Sequence, residues 1–267
     1  MTLDTSERSR ATTAIVFDLD GVLVDSEPYW QWGFSAGLLE ILQRRGFDDV
    51  NMAGVDLDAF VGGRVRDTVP AILRALGVAG RLAPGDAAAI SREVVAAVTA
   101  RFVATPAPIA ASVATALELA AAGHPLAVAT SSALSFAHAA VRAIGLEEVL
   151  PVRVSSYDLA HGKPDPEVYH HALAALSTDC RGAIAIEDSP VGLTAAVRAG
   201  LRTVWLVDAP GSGADVPPDP GMVTDALADR GAGDSAIQLA SLVVAMTAQL
   251  DYALVERAAA QPTLGPK

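Results

Sequence analysis

The chain has 267 residues, 51% of them hydrophobic, and its 19 basic and 31 acidic side chains leave a formal charge of −12. A surface that acidic repels nucleic acid and anionic membranes, so neither is expected as a partner, and an anionic ligand needs a local positive site. The single cysteine, Cys180, excludes an intrachain disulfide and, with scattered histidines, argues against structural zinc.

Residues 1–10 are polar, with both charge signs and no apolar signal core. The most apolar later stretch, 110–130, is interrupted by Glu118, Gly123, His124 and Pro125, so it is not expected to span a bilayer. A cytoplasmic location is expected. Residues 14–17 form an apolar run that ends on Asp18-Leu19-Asp20-Gly21 and reads as a buried strand. Side chains alternate along a strand, so Asp18 and Asp20 point the same way. Two carboxylates in one small site suit a divalent cation or acid/base work beside a nucleophile.

From 28 to 102 the pattern is helical with no convincing strand. Helices are expected at 38–45, 68–76 and 86–100, the first two stopped by Gly46 and Gly77. We read residues 28–103 as a small α-helical cap domain inserted after the first strand, tethered at 26–29 and 104–109. The second tether is stiffened by Pro106 and Pro108. Residues 1–27 and 104–267 then form the core. Strands are expected there at 125–130, 151–155, 183–187 and 203–207, with helices at 134–144, 167–176 and 192–199 between them. That alternation implies an α/β fold, a Rossmann-like parallel sheet covered on both faces. Residues 208–221 read as a loop, 234–256 as a final helix and 261–267 as a disordered tail.

The strand-like segments end in chemistry. The first ends at Asp18 and Asp20, the second at Thr130-Ser131-Ser132, the fourth at Glu187-Asp188, and Lys163 follows the third. A parallel sheet gathers such residues at one edge. Lys163 and Lys267 are the only lysines in a chain that otherwise uses arginine, so a compact point charge is indicated at 163.

Four motifs carry a resemblance: Asp18-Leu19-Asp20-Gly21, Thr130 with Ser131, Lys163-Pro164-Asp165-Pro166, and Glu187-Asp188-Ser189-Pro190 with Gly192. In that order they resemble the haloacid dehalogenase-like superfamily of phosphohydrolases, over roughly residues 12–208. Asp25-Ser26-Glu27-Pro28 and the helical insert resemble its β-phosphoglucomutase-like group. The resemblance implies a phosphatase in which Asp18 is the nucleophile, forming an aspartyl-phosphate, and Asp20 is the general acid and base. It implies Mg²⁺ held by Asp18, the Asp20 carbonyl and Asp188, with Glu187 acting through water. Lys163 and Thr130 would complete the catalytic set, and the Ser131 amide would bind phosphoryl oxygen.

The resemblance also narrows the reaction. Asp20 argues against a dehalogenase, and a cap without lysine argues against imine-forming phosphonate hydrolysis. Tyr29-Trp30 stands where the mutases carry Tyr-His, which favours hydrolysis of a sugar or polyol phosphate over a hexose phosphate mutase. A catalytically silent regulatory protein is the third alternative. The run 60–67 resembles a cap specificity loop, giving Gly62 and Arg64 as substrate-binding candidates, Arg64 with a solvated-loop alternative. Trp30 and Trp32 read as anchors of the cap helix or as cleft residues. Glu27 serves either the substrate or the hinge. The expected partner is a small phosphorylated molecule, and a monomer is expected with an oligomer left open. His170 and His171 read as helix residues without a metal.

Overall fold

A computed structural model describes residues 12–57, 63–206, 243–247 and 252–260. The apolar run Ala14–Phe17 forms β1, buried along its whole length. Helices follow: α1 (Glu27–Trp32), a π-helical stretch (Gly33–Gly37), α2 (Leu38–Arg44), α3 (Val65–Ala75) and α4 (Asp86–Ala104). Then strands and helices alternate. The series is α5 (Ala110–Ala121), β2 (Leu126–Thr130), α6 (Leu134–Ala143), β3 (Val152–Ser155), α7 (Glu167–Ala175), β4 (Ala183–Glu187), α8 (Pro190–Arg198) and β5 (Arg202–Leu206). The last described elements are β6 (Val243–Thr247) and α9 (Tyr252–Ala260).

The strands make one parallel sheet of six, ordered β3-β2-β1-β4-β5-β6. Strand composition explains why both faces are covered. Ile15, Phe17, Val128, Ile184 and Ile186 pack on one face, while Ala14, Val16, Ala127, Ala129, Ala183 and Ala185 pack on the other. The alanine-rich face lets α7 and α8 lie close to the sheet, and neither face is left to water, as parallel sheets require. From β1 the chain runs out through β2 and β3, then returns to place β4 on the other side of β1. Strand order therefore reverses between β1 and β4, and the crevice at their carboxyl ends is the expected ligand position.

Residues 27–104 hold helices and, among the described residues, no strand. They pack on the sheet domain through α4 and α6, with the Phe136 ring edge-on to Trp30 at 4.9 Å and to Phe102 at 5.5 Å. The chain enters and leaves this helical segment side by side: Asp25 N donates to Ala107 O at 2.9 Å and Ile109 N to Leu23 O at 3.0 Å.

Two expectations are corrected. The first tether, at 26–29, is the opening of α1 instead; Pro28 in the first turn and the acidic Glu27 both favour a helix start there. The single helix expected over 234–256 is not what forms: Val243–Thr247 is a strand paired with β5, and among the described residues the helix there is Tyr252–Ala260. The β-branched run Val243-Val244 with Thr247 suits a sheet edge better than a helix interior. The 208–221 loop and the 261–267 tail lie outside the described residues. The sequence did not signal α5 as a helix. No described helix is long and apolar enough to cross a membrane.

Candidate active site

Asp18 follows the last residue of β1, and Phe17 is in register with Val128 of β2 and Ile186 of β4. That register sets Asp18 beside the ends of β2 and β4, where Thr130 and Glu187 lie. Asp18 is 7% exposed, and Lys163 reaches it from the loop after β3. The Lys163 ammonium donates to Asp18 Oδ1 at 2.9 Å, Glu187 Oε1 at 2.6 Å and Ala129 O at 2.9 Å. All three of its protons are used. Tyr169, from α7, donates to the same Glu187 oxygen and sets its ring under the ammonium at 5.3 Å.

Asp20 is held differently. Its Oδ1 accepts from the Ser26 hydroxyl and from Trp30 Nε1 at 3.0 Å. Its Oδ2 accepts from Thr130 Oγ1 at 3.1 Å and Ser132 Oγ at 2.8 Å. Four donors from β2, its following loop and α1 thus converge on one carboxylate.

Two glycines let the parts approach. Gly21 has φ +75°, and a Cβ there would stand 1.9 Å from Asp188 Oδ2. Gly192, in the first turn of α8, would bring a Cβ to 2.0 Å from Glu187 Oε2. The helix starts there because Ser189 Oγ accepts from Gly192 N at 3.1 Å and Pro190 opens the first turn.

The charge balance is uneven: four carboxylates, Asp18, Asp20, Glu187 and Asp188, surround one ammonium. Burial raises the Asp18 pKa well above the ordinary value, Lys163 pulls it back in part, and Glu187 and Asp188 push it up again. Burial and the neighbouring Glu187 charge lift Asp188 to about 7. Burial pulls the Lys163 pKa down, but the Asp18 and Glu187 carboxylates outweigh it and the net shift is upward. Tyr169 is pushed well up, first by burial and then by Glu187.

Asp18, Glu187 and Asp188 each bring an oxygen within 4.8 Å of the others. Asp188 Oδ1 is buried with no hydrogen-bond partner among the described residues. A buried carboxylate oxygen without a partner in an excess of negative charge is compatible with a cation, and an all-oxygen donor set suits a hard divalent ion. The residues present fit such an ion.

A cavity of about 680 Å³ opens above these groups, lined by Asp18, Asp20, Ser131, Lys163 and Asp188 among others. Thr130 is fully buried and turns its hydroxyl to Asp20 rather than to the cavity. Arg64 is placed away from the lining: Nε donates to Asp67 at 2.6 Å, and Nη1 to Ser156 O and Leu159 O, each at 3.2 Å. Gly62 lies outside the described residues. His170 and His171 are on α7. The sequence reading missed Ser132 and Tyr169 as site residues, and left Ser26 and Trp30 unassigned to Asp20. Tyr169 sits at an apolar helix position and reads as core. Ser26 and Ser132 had one signal, a hydroxyl close in sequence to an assigned motif.

The haloacid dehalogenase-like hydrolase family profile matches residues 15–206. The chain is 42% identical over 82 residues to the validoxylamine A 7'-phosphate phosphatase of Streptomyces hygroscopicus subsp. limoneus, a match that spans 31% of this chain and 38% of that relative. It is 32% identical over 209 residues to Protein CbbY of Cereibacter sphaeroides, covering 72% of this chain and 82% of that one. Among solved structures, a mutant of CbbY from Rhodobacter sphaeroides in complex with xylulose 1,5-bisphosphate aligns with TM-score 0.62 and 26% identity, over 76% of this chain and 92% of that one. With the profile matched along most of its length and a relative this similar across most of both chains, the chain belongs to the haloacid dehalogenase-like hydrolase family.

Proposed function

We propose that this chain is a Mg²⁺-dependent phosphatase that hydrolyses a small phosphorylated metabolite, a sugar or polyol phosphate, through an aspartyl-phosphate. The observation that carries this reading is Asp18 at a cavity floor, bonded to Lys163 at 2.9 Å, beside an orphaned Asp188 and two residues from a clamped Asp20.

Asp18 attacks phosphorus, and the bond from phosphorus to the leaving oxygen breaks as the new one forms. Asp20 gives its proton to the leaving alkoxide. It then takes a proton from the water that attacks the same phosphorus, and Asp18 is released with inorganic phosphate. Lys163 holds Asp18 in place and offers fixed positive charge to the phosphoryl group. The Ser131 amide would bind a phosphoryl oxygen. Asp18, Asp188 and the Asp20 carbonyl would hold Mg²⁺, with Glu187 behind them. When bound, the ion neutralises phosphoryl charge that four carboxylates would otherwise repel.

Helices α1 to α4 serve in this reading as a cap over the cavity, since Trp30, Phe34, Leu57 and Val65 line it from that side. The cap excludes water during transfer and admits substrate by moving. The test is phosphate release from p-nitrophenyl phosphate and a panel of sugar and polyol phosphates in Mg²⁺. Asp18→Asn is expected to lose about 10³-fold or more in kcat while keeping its circular dichroism spectrum. Substantial turnover by that variant would overturn the nucleophile assignment, and turnover undiminished in EDTA would overturn the metal.

A further inference from the structure

We propose that His161, Asp165 and Glu167 form a metal site of their own, apart from the cavity, that takes Zn²⁺ and fastens both ends of the loop carrying Lys163. This goes beyond the phosphatase reading and does not depend on it.

The donor atoms come first. Each of the three residues brings one ligand atom, an imidazole nitrogen or a carboxylate oxygen, and these atoms lie within 4.8 Å of one another. None of the three lines the cavity. An imidazole among carboxylates suits a borderline ion such as Zn²⁺, whereas the all-oxygen set of Asp18, Glu187 and Asp188 suits a hard one. The two sites therefore prefer different ions, and Mg²⁺ is a poor competitor at the one with the imidazole.

The loop itself brings the donors together. His161 N donates to Glu167 Oε2 at 2.8 Å, and Glu167 N donates to Asp165 Oδ1 at 3.0 Å. These two bonds fold residues 161–167 back on themselves, and His161 Nδ1 stands 3.3 Å from Glu167 Oε2. Ligands about 2.0–2.1 Å from a tetrahedral Zn²⁺ are about 3.4 Å apart, so this pair is already at ligand spacing. The Asp165 oxygen lies within 4.8 Å of both and has to close by at most about 1.4 Å, which a side-chain rotation supplies.

Charge points the same way. Among the described residues, neither Asp165 nor Glu167 pairs with a lysine or an arginine. The partners of Glu167 are two imidazoles, His161 beside Oε2 and His171 Nε2 at 4.0 Å from Oε1. His171 is one helical turn beyond Glu167 on α7 and 55% exposed, so it can turn to become a fourth ligand, a place that water fills otherwise. The His161 side chain is 69% exposed, which gives an ion its way in.

The position of the site gives its consequence. Lys163 lies between the ligands in the chain, and its ammonium holds Asp18 and Glu187. An ion shared by His161, Asp165 and Glu167 ties the start of this loop to the first turn of α7, the helix that brings Tyr169 to Glu187. An ion that binds the folded chain alone stabilises it by mass action.

Equilibrium dialysis of the untagged chain against Zn²⁺, in excess Mg²⁺, tests this. About one Zn²⁺ per chain is expected, with a Kd of about 10 µM or tighter. The melting temperature in the same buffer should rise by roughly 2–5 °C when Zn²⁺ is added. His161→Ala should weaken Zn²⁺ binding by about tenfold or more and remove most of that rise, while keeping the wild-type circular dichroism spectrum. Asp165→Asn, which preserves the shape of the side chain and removes its charge, should act in the same direction. Binding that Asp188→Asn abolishes and His161→Ala leaves intact would place the ion in the cavity and overturn the proposal. Binding well short of one ion per chain would overturn it too, as would equal affinity in the wild type and both loop variants.

Discussion

Asp20 accepts four hydrogen bonds, yet the donors are not equivalent. The Trp30 Nε1–H can only donate, so the oxygen it faces stays an acceptor. The hydroxyl of Ser132 on the other oxygen can turn and accept instead. Proton transfer is therefore expected at Oδ2, and Ser132→Ala should lower kcat by about tenfold with little change in KM, measured on the best substrate. Asp188 gives a pH dependence. Its pKa in the folded metal-free protein is raised to about 7, above that of the unfolded chain. The folded form thus holds a proton that the unfolded form has already released. Its contribution to stability is full below the ordinary Asp range and is lost as pH rises through about 7. Asp18 shifts in the same direction. The melting temperature in EDTA should fall between pH 5 and pH 8, and Mg²⁺ should restore most of the loss at the upper end. A flat profile in EDTA would contradict the charge excess.

At the level of elements, α8 is the piece whose start decides the site. Ser189 caps it, and Gly192 allows its first turn to pass over Glu187. Ser189→Ala should cost about 1 kcal/mol by urea denaturation. Gly192→Ala forces a methyl toward a carboxylate 2.0 Å away, so it should cost roughly 1–3 kcal/mol and reduce turnover as well, because Glu187 and Lys163 must move with the helix. Helix α7 acts through Tyr169. Tyr169→Phe removes a donor to a fully buried Glu187 and is expected to destabilise by about 1–3 kcal/mol.

Across the whole molecule, a net charge of −12 opposes the approach of a phosphate ester. Salt screens that repulsion while leaving the buried Lys163 contacts almost untouched. Raising ionic strength from about 0.01 to 0.15 M should therefore increase kcat/KM by roughly twofold, the opposite of the fall seen for a basic site. A decrease would place uncompensated positive charge at the cavity mouth.

The strands of the sheet core and the motifs at their ends were legible in the sequence, since short apolar runs that stop at Asp18, Thr130 and Glu187 state both the element and its chemistry. Strand β6 was not, because its pairing with β5 outweighs the helical reading of a longer window around it. Helix α5 was missed because an alanine-rich stretch carries little periodicity. The sequence by itself determined the donor types available, Asp18, Asp20, Lys163, Glu187 and Asp188, and the parallel sheet that gathers them, because local composition specifies a buried strand and its end. Only the tertiary structure decided which of them touch. That Lys163 spends its protons on Asp18 and Glu187, that Tyr169 joins them, that Trp30 and Ser132 clamp Asp20, and that Arg64 turns from the cavity all depend on distances between residues far apart in the chain. Such distances are set by packing between elements, which no local pattern encodes.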